Sequence, residues 1–251
     1  MSTYGLIGRK LDHSFSRTYF TTKFKLEHLS HEYLNFEIDL IEDFESVILS
    51  HHDVNGLNVT TPYKEEALIL CNSLTVDAKN IGAVNCLQII GDEIIGHNTD
   101  WQGFKKSLMD FIPKNNNFQA LILGTGGASK AVGYALDNLN IPYKKVSSSK
   151  LGDYDYNELN ESYITNHQLI INATPLGTFP NIETKPAIPY QFITDSHFLF
   201  DLVYNPSETA FMKAGMKKNC SVKNGYDMLV NQAEESWEIW DNSELESSKN
   251  S

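Results

Sequence analysis

Phe118-Gln-Ala-Leu-Ile-Leu123 runs directly into Gly124-Thr-Gly-Gly-Ala-Ser129, and Lys130 to Asn138 follows with helical spacing. An apolar strand, a glycine turn and a helix, in that order, open a βαβ unit, and the next strand, Tyr143-Lys-Lys-Val146, arrives at the distance such a unit needs. In this pattern Gly124 permits the tight turn, Gly126 lets the backbone approach a pyrophosphate, and the small Ser129 lets helix and strand pack closely. The helix start, through Gly127 and Ala128, offers free N–H groups and a partial positive charge to an anion. A glycine-rich turn that binds nothing is the competing reading, and the strand–turn–helix–strand context weighs against it.

The end of the second strand sets cofactor preference. NAD-binding units usually place Asp or Glu there, about 20 residues past the glycines, to grip the ribose 2′-hydroxyl. Here the stretch is Val146-Ser147-Ser148-Ser149-Lys150, without an acid. A carboxylate would repel a 2′-phosphate, whereas the hydroxyls of Ser147, Ser148 and Ser149 and the Lys150 ammonium would hold one. NADP is favoured.

Outward from this unit, strands are expected at Gln168 to Asn172, Phe198 to Val203 and Ser221 to Lys223, with a helix near Glu208 to Lys218. Alternating strands and helices without a long structureless loop predict a parallel α/β sheet with crossover helices. Toward the N-terminus, Tyr4 to Ile7, Tyr33 to Ile38 and Gly56 to Thr60 read as strands, with helices over Ser16 to Leu29 and around Asp43 to Leu49. Pro62 cannot donate to a ladder and should turn the chain into a loop and then a helix. Gly91-Asp92 suggests a hairpin between Leu87–Ile90 and Glu93–Ile95, and Trp101 to Ile112 reads as a helix stopped by Pro113. A last helix is expected from Tyr226 to about Trp240, followed by a fraying tail from Asn242 to Ser251.

The 251 residues carry 20 Lys and Arg against 32 Asp and Glu, a net charge of −12, which argues against a nucleic-acid partner. The imbalance is uneven: residues 1–100 hold 7 basic and 15 acidic side chains, 101–224 hold 12 and 10, and 225–251 hold 1 and 7. Two acidic ends flanking a near-neutral middle suggest that the first and last segments belong together. The expected division is 1–100 plus 225–251, and 101–224. No apolar run approaches the ~20 residues of a membrane span, and Met1 to Lys10 lacks the pattern of a secretory leader. Cys71, Cys86 and Cys220 form no CxxC pair and read as reduced, buried residues of a cytoplasmic protein. His51-His52, beside a glycine-bearing turn, read as exposed rather than as metal ligands.

The acidic first third holds polar residues unusual for a bland scaffold. Ser14 and Ser16 lie before the first helix, where one would serve as a cap. Asn58, Thr60 and Lys64 cluster at a strand end, Asn85 follows Gly82-Ala-Val, and Asn98-Thr-Asp100 precedes the Trp101 helix. Singly each has a structural explanation. Together, hydroxyls and amides at strand ends with one lysine and one aspartate suit a small polyhydroxylated substrate.

Taken in order, Ser14-Phe-Ser16, Asn58-Val-Thr60-Thr-Pro62-Tyr-Lys64, Gly82-Ala-Val-Asn85, Asn98-Thr-Asp100, Gly124-x-Gly-Gly-Ala-Ser129, Asn172-Ala-Thr-Pro-Leu-Gly177, Asp201-Leu-Val-Tyr204-Asn-Pro206 and Gly225-Tyr-Asp-Met-Leu229 resemble the shikimate dehydrogenase family. The set spans nearly the whole chain. The resemblance implies a reversible, NADP-dependent reduction of 3-dehydroshikimate to shikimate, a step toward chorismate and the aromatic amino acids, without a metal. It assigns Ser14 and Ser16 to the substrate carboxylate, and Thr60, Asn85, Tyr204 and Gln232 to its remaining hydrogen bonds. Lys64 and Asp100 become the catalytic pair, and Thr174 and Gly225 join the cofactor residues. The implied architecture is an N-terminal α/β substrate domain and a Rossmann-type parallel-sheet NADP domain, with the C-terminal helix returning to the first, working as a monomer or homodimer. One departure stands out: the family's Asn-Arg-Thr at the end of the second cofactor strand is replaced by Ser147-Ser-Ser149, so the 2′-phosphate loses a planar multi-donor partner. The nearest alternative is a quinate or dual quinate/shikimate dehydrogenase. A methylenetetrahydrofolate dehydrogenase would not explain Ser14, Ser16 or Asn98-Thr-Asp100. A catalytically inactive nucleotide-sensing module is disfavoured by the retention of both Lys64 and Asp100.

Overall fold

The structure, a computed structural model, describes residues 2–12, 14–51, 53–114, 117–149 and 151–249, with side chains left aside at 49 and 243–249. Lys150 and His52 lie outside the described residues. The chain forms two compact units, Met1–Thr99 with Ala233–Ser251, and Asp100–Gln232. The second boundary falls inside the last helix instead of at residue 225 before it.

The first unit is built from β1 (Thr3–Gly8), α1 (Phe15–Leu26), β2 (Glu32–Glu37), α2 (Phe44–Ser50), β3 (Val54–Val59), β4 (Ser73–Leu74), α3 (Val76–Ile81), β5 (Cys86–Ile90) and β6 (Glu93–His97). The second holds α4 (Asp100–Met109), β7 (Ala120–Leu123), α5 (Gly127–Asn138), β8 (Tyr143–Val146), α6 (Glu161–Asn166), β9 (Leu169–Asn172), β10 (Phe198–Asp201), α7 (Ala210–Met216) and β11 (Ser221–Lys223). The last helix, α8 (Tyr226–Lys249), begins in the second unit and ends in the first. It extends to Lys249, beyond the expected end near Trp240.

The sheet of the second unit is parallel throughout, in the order β11-β10-β9-β7-β8. Its central strands are short and apolar up to their C-terminal residues, because both faces are covered. Ala120, Ile122, Leu169, Ile171 and Phe200 face Phe104 of α4 and Val132 and Leu136 of α5, whereas Leu121, Leu123, Ile170 and Leu199 pack with Ile164 of α6 and Phe211 of α7. The first unit's sheet is mixed and includes the antiparallel hairpin expected at Gly91-Asp92. Its order is β2-β1-β3-β5-β6-β4, with β1 parallel to both β2 and β3, but β5 antiparallel to β3 and to β6. The β5–β6 hairpin turns at Gly91, whose φ of 60° suits a residue without a side chain. After Pro62 the chain makes only a 3₁₀ turn, Glu66–Leu70, before the two-residue β4 and the six-residue α3.

Along β1 the side chains alternate: Tyr4 and Leu6 join one cluster, Ile7 the opposite one. The cluster over Tyr4 is aromatic and is completed from the far end of the chain. Phe20 and Phe24 of α1, Tyr33 of β2, and Trp237 and Trp240 of α8 all enter it. Trp240 is fully buried, stacks on Tyr4 with ring centres 5.1 Å apart, and donates its indole N–H to Leu87 O at 3.0 Å. It occupies the space above Gly56, where any side chain would run into the indole. Lys23 pairs with Glu234 at 2.9 Å at the rim. Cys86 and Cys220 are buried and Cys71 is half-buried, all three as free thiols. His51 is half-buried rather than exposed, because its ring packs edge-on against Phe36, 5.1 Å between centres.

Trp240→Ala should destabilise the first unit by about 3–5 kcal/mol, the range for emptying a buried indole site. Urea unfolding followed by circular dichroism checks this, and a loss below about 1 kcal/mol would mean that α8 docks without the indole.

Candidate functional site

In the first unit the candidate residues lie where strands end and helices begin. Ser14 caps α1: its Oγ accepts the Arg17 N–H at 3.2 Å. Ser16, in the first turn, is buried, and its hydroxyl bonds the Tyr33 phenol, opposing the burial that pushes the phenol well above its usual range. Thr60 leaves β3 half-buried, its N–H donating to Ile7 O at 2.9 Å. Tyr63, fully buried, shares its hydroxyl proton between the carbonyls of Ile38 and Asp39, each at 2.7 Å, and accepts from Arg9 Nε at 3.3 Å. This anchors the turn carrying Lys64, whose carbonyl accepts the Val84 N–H at 2.7 Å and so ties it to the Gly82–Asn85 segment.

Behind these positions runs a buried hydrogen-bonded chain that sequence reasoning missed. Tyr33 Oη donates to Asn58 Oδ1 at 2.8 Å, and Asn58 Nδ2 donates to Ser236 Oγ at 2.9 Å. Ser236 Oγ meets Thr99 Oγ1 at 3.1 Å. Asn85 closes the chain, with Nδ2 donating to Thr99 Oγ1 at 2.9 Å and Oδ1 accepting the Thr99 N–H at 2.6 Å. Asn98 Nδ2 is also internal, donating to Ala83 O at 2.9 Å. Asn58 and Asn85 stand out in the sequence and Thr99 lies within the Asn98-Thr-Asp100 motif; Tyr33 and Ser236 do not, since each lies in an otherwise ordinary strand or helix. The neighbouring His97 is pushed down to about 4 by burial and is neutral, with Nε2 3.2 Å from Gln88 Oε1.

In the second unit, Gly124 takes φ of 113°, open to glycine, and a side chain there would crowd Thr174 Cγ2 at 3.1 Å and Ala173 O at 3.2 Å. Gly126 is the N-cap of α5 and faces open space, and the first turn, with Gly127 and Ala128, holds no acid. Ser129 is more than a small packing residue: its hydroxyl donates to Gly124 O at 2.7 Å and locks the turn onto the helix. Ser147 Oγ accepts the Ser149 N–H at 3.1 Å, lies 2.9 Å from Ser149 Oγ and 3.4 Å from Thr125 Oγ1, and Ser148 is exposed. These hydroxyls lie beside the glycine turn without a carboxylate among them. Thr174 donates both N–H and hydroxyl to Asn172 Oδ1, at 3.0 and 2.6 Å. Tyr204 is half-buried, and burial raises its phenol. Gly225 is buried against the Leu202 carbonyl, leaving no room for a side chain. Gln232 is buried on α8 and donates to Leu229 O at 2.9 Å, and Asp100 is buried at the first position of α4.

The free first-turn amides of α5, the open space at Gly126 and the acid-free serine turn fit a dinucleotide bearing a 2′-phosphate. The hydroxyls and amides of the first unit, with Lys64, form a donor-rich set suited to a small oxygenated anion. Among the described residues no group of three His, Cys, Asp or Glu is placed to hold a metal ion, and no helix is long and apolar enough to cross a membrane.

Comparisons with known proteins bear on these features. Residues 6–87 match the family model described as the shikimate dehydrogenase substrate binding domain. The shikimate dehydrogenase (NADP(+)) of Methanococcus aeolicus is 35% identical over 94% of this chain and 90% of its own length. Shikimate dehydrogenase 1 of Peptoclostridium difficile superposes with a TM-score of 0.85 at 34% identity, covering 96% of this chain and 92% of that one. The shikimate 5-dehydrogenase of Thermus thermophilus, solved with NADP(H) and shikimate, gives a TM-score of 0.85 at 25% identity, covering 96% and 93%.

The buried imidazole has a measurable consequence. His97 binds a proton only after unfolding, so its contribution to stability is complete above about pH 6.5 and is lost as the pH falls toward about 4. His97→Gln should flatten the decline of the urea midpoint between pH 7 and pH 5. An unchanged slope would place the acid sensitivity elsewhere.

Proposed function

The chain belongs to the shikimate dehydrogenase family, and from that membership we propose that it catalyses the reversible reduction of 3-dehydroshikimate to shikimate with NADPH. The match to relatives of that name, over 94% of this chain and 90% of theirs, carries the reading. The retention of Lys64 and Asp100 separates it from an inactive nucleotide-sensing module.

NADPH, when bound, supplies the hydride. As the substrate carbonyl carbon becomes tetrahedral its oxygen gains negative charge, which a positioned ammonium both stabilises and protonates. Lys64 takes this role, and Asp100 supplies the compensating charge. Ser14 and Ser16 donate to the substrate carboxylate, and Thr60, Asn85, Tyr204 and Gln232 to its other oxygens. The buried chain from Tyr33 to Asn85 supports this assignment, because side chains held by satisfied hydrogen bonds need little reordering when a ligand arrives. The amides of Gly126, Gly127 and Ala128 receive the pyrophosphate, with Gly124 making room. Thr174 and Gly225 meet the rest of the cofactor, and Ser147, Ser148 and Ser149, with Lys150, hold the 2′-phosphate. Three unpaired thiols are in keeping with a reducing cytoplasm, where the enzyme works as a monomer or homodimer. Quinate, with its extra hydroxyl on the carboxylate-bearing carbon, is not favoured, since the relatives at this identity carry the shikimate name.

Purified protein offered shikimate or quinate, each with NADP⁺ or NAD⁺, should form reduced nicotinamide fastest with shikimate and NADP⁺. No turnover of shikimate with either cofactor would overturn the reading. Lys64→Ala should lower kcat by roughly 10²–10⁴-fold while NADP⁺ still binds; near-normal turnover would remove Lys64 from the mechanism. Ser148→Asp, which sets a carboxylate beside the 2′-phosphate, should weaken NADP⁺ binding by about tenfold or more and spare NAD⁺. Equal effects on both cofactors would place the 2′-phosphate elsewhere.

A further inference from the structure

Asp201 ends β10 directly opposite Asn172 at the end of β9, and it is fully buried. Its Oδ1 accepts Asn172 Nδ2 at 2.8 Å and the Val203 N–H at 3.0 Å, and its Oδ2 accepts the Thr209 hydroxyl at 2.6 Å. Burial pushes the carboxyl up to about 6, against the pull of these three donors. A buried carboxylate surrounded by neutral partners is costly, and such groups persist where geometry requires several acceptors at one point.

The geometry here has a direction. Asn172, held through Nδ2, turns Oδ1 toward Thr174 and takes both its N–H and its hydroxyl. Val203, held through its N–H, immediately precedes Tyr204. One carboxylate therefore fixes the first residues of two neighbouring chain segments where they leave the C-terminal edge of the parallel sheet, the edge at which open α/β sheets bind ligands. One segment bears Thr174 and the other Tyr204.

We propose that Asp201 is a positioning residue of the reaction, setting Thr174 for the cofactor through Asn172 and Tyr204 for the substrate through the Val203 amide. This rests on the roles given to Thr174 and Tyr204 above. Asp201 itself touches neither ligand. Its third bond, to Thr209, serves a different end: Thr209 caps α7, its Oγ1 accepting the Met212 N–H at 3.2 Å.

The two kinds of contact can be separated by measuring NADP⁺ dissociation constants by calorimetry, shikimate KM and kcat, and thermal midpoints on the full chain. Asp201→Ala should raise both the NADP⁺ Kd and the shikimate KM by about tenfold, the order expected for losing a buried hydrogen bond to a charged group. Asp201→Asn, which still accepts at Oδ1, should restore both to within about threefold. Asn172→Ala should raise the NADP⁺ Kd and leave the shikimate KM unchanged, and Thr209→Val should lower the midpoint while moving neither constant. A folded Asp201→Ala protein with native Kd and KM overturns the proposal. If that variant does not fold, an unchanged NADP⁺ Kd in Asn172→Ala does so. Wild-type protein that binds NADP⁺ but leaves shikimate untouched would instead refute the proposed activity, while the Kd series would still test the Asp201–Asn172–Thr174 arm.

Discussion

The first unit depends on an indole that arrives from the far end of the chain. Trp240 is buried over Gly56, stacked on Tyr4 and hydrogen-bonded to Leu87 O. Without it, Tyr4 would lose its stacking partner and Phe20 one of its ring contacts, leaving the cluster between α1 and the sheet incomplete. The same helix delivers Ser236 to the middle of the polar chain behind the candidate site. A packing requirement and a hydrogen-bonding requirement are thus met by neighbouring turns of one element.

The polar chain follows from burial. Asn58, Asn85 and Thr99 are almost wholly excluded from solvent, so each donor and acceptor must find a partner within the protein. The partners come from β2, β3, the segments flanking β5 and β6, and α8, and their mutual satisfaction removes alternative placements of the strand ends. Thr99, held on both its N–H and its hydroxyl, directly precedes Asp100. Charge is divided along the same lines: the first unit carries 8 basic and 20 acidic side chains, the second 12 of each. On net charge, a polyanionic dinucleotide is repelled less by the second unit than by the first.

Much of the second unit is legible in the sequence because its signals are local. Leu123, Gly124, Gly126 and Ser129 lie within seven residues, and strand, turn and helix follow from their order. That one of Ser14 and Ser16 caps the first helix is legible for the same reason; that it is Ser14 comes from the structure. The antiparallel placing of β5 is not, since its register against β3 is decided by side chains thirty residues apart in the chain. The two-residue β4 and the six-residue α3 are too short to show a period. Tyr33, Ser236 and Thr99 join partners separated by 25, 178 and 137 positions, beyond any spacing rule. Asp201 shows in the sequence only as one residue of a motif, because its three bonds form only once β9, β10 and α7 are side by side.

The path of α8 also makes the two units unequal in what completes them. Every residue of the second unit precedes Ala233, so its parallel sheet draws on one unbroken stretch of chain. The strands of the first unit come earlier, yet their aromatic cluster closes only with Trp237 and Trp240. Domains generally fold as units, and this one is a unit only once segments separated by the whole of the second have met.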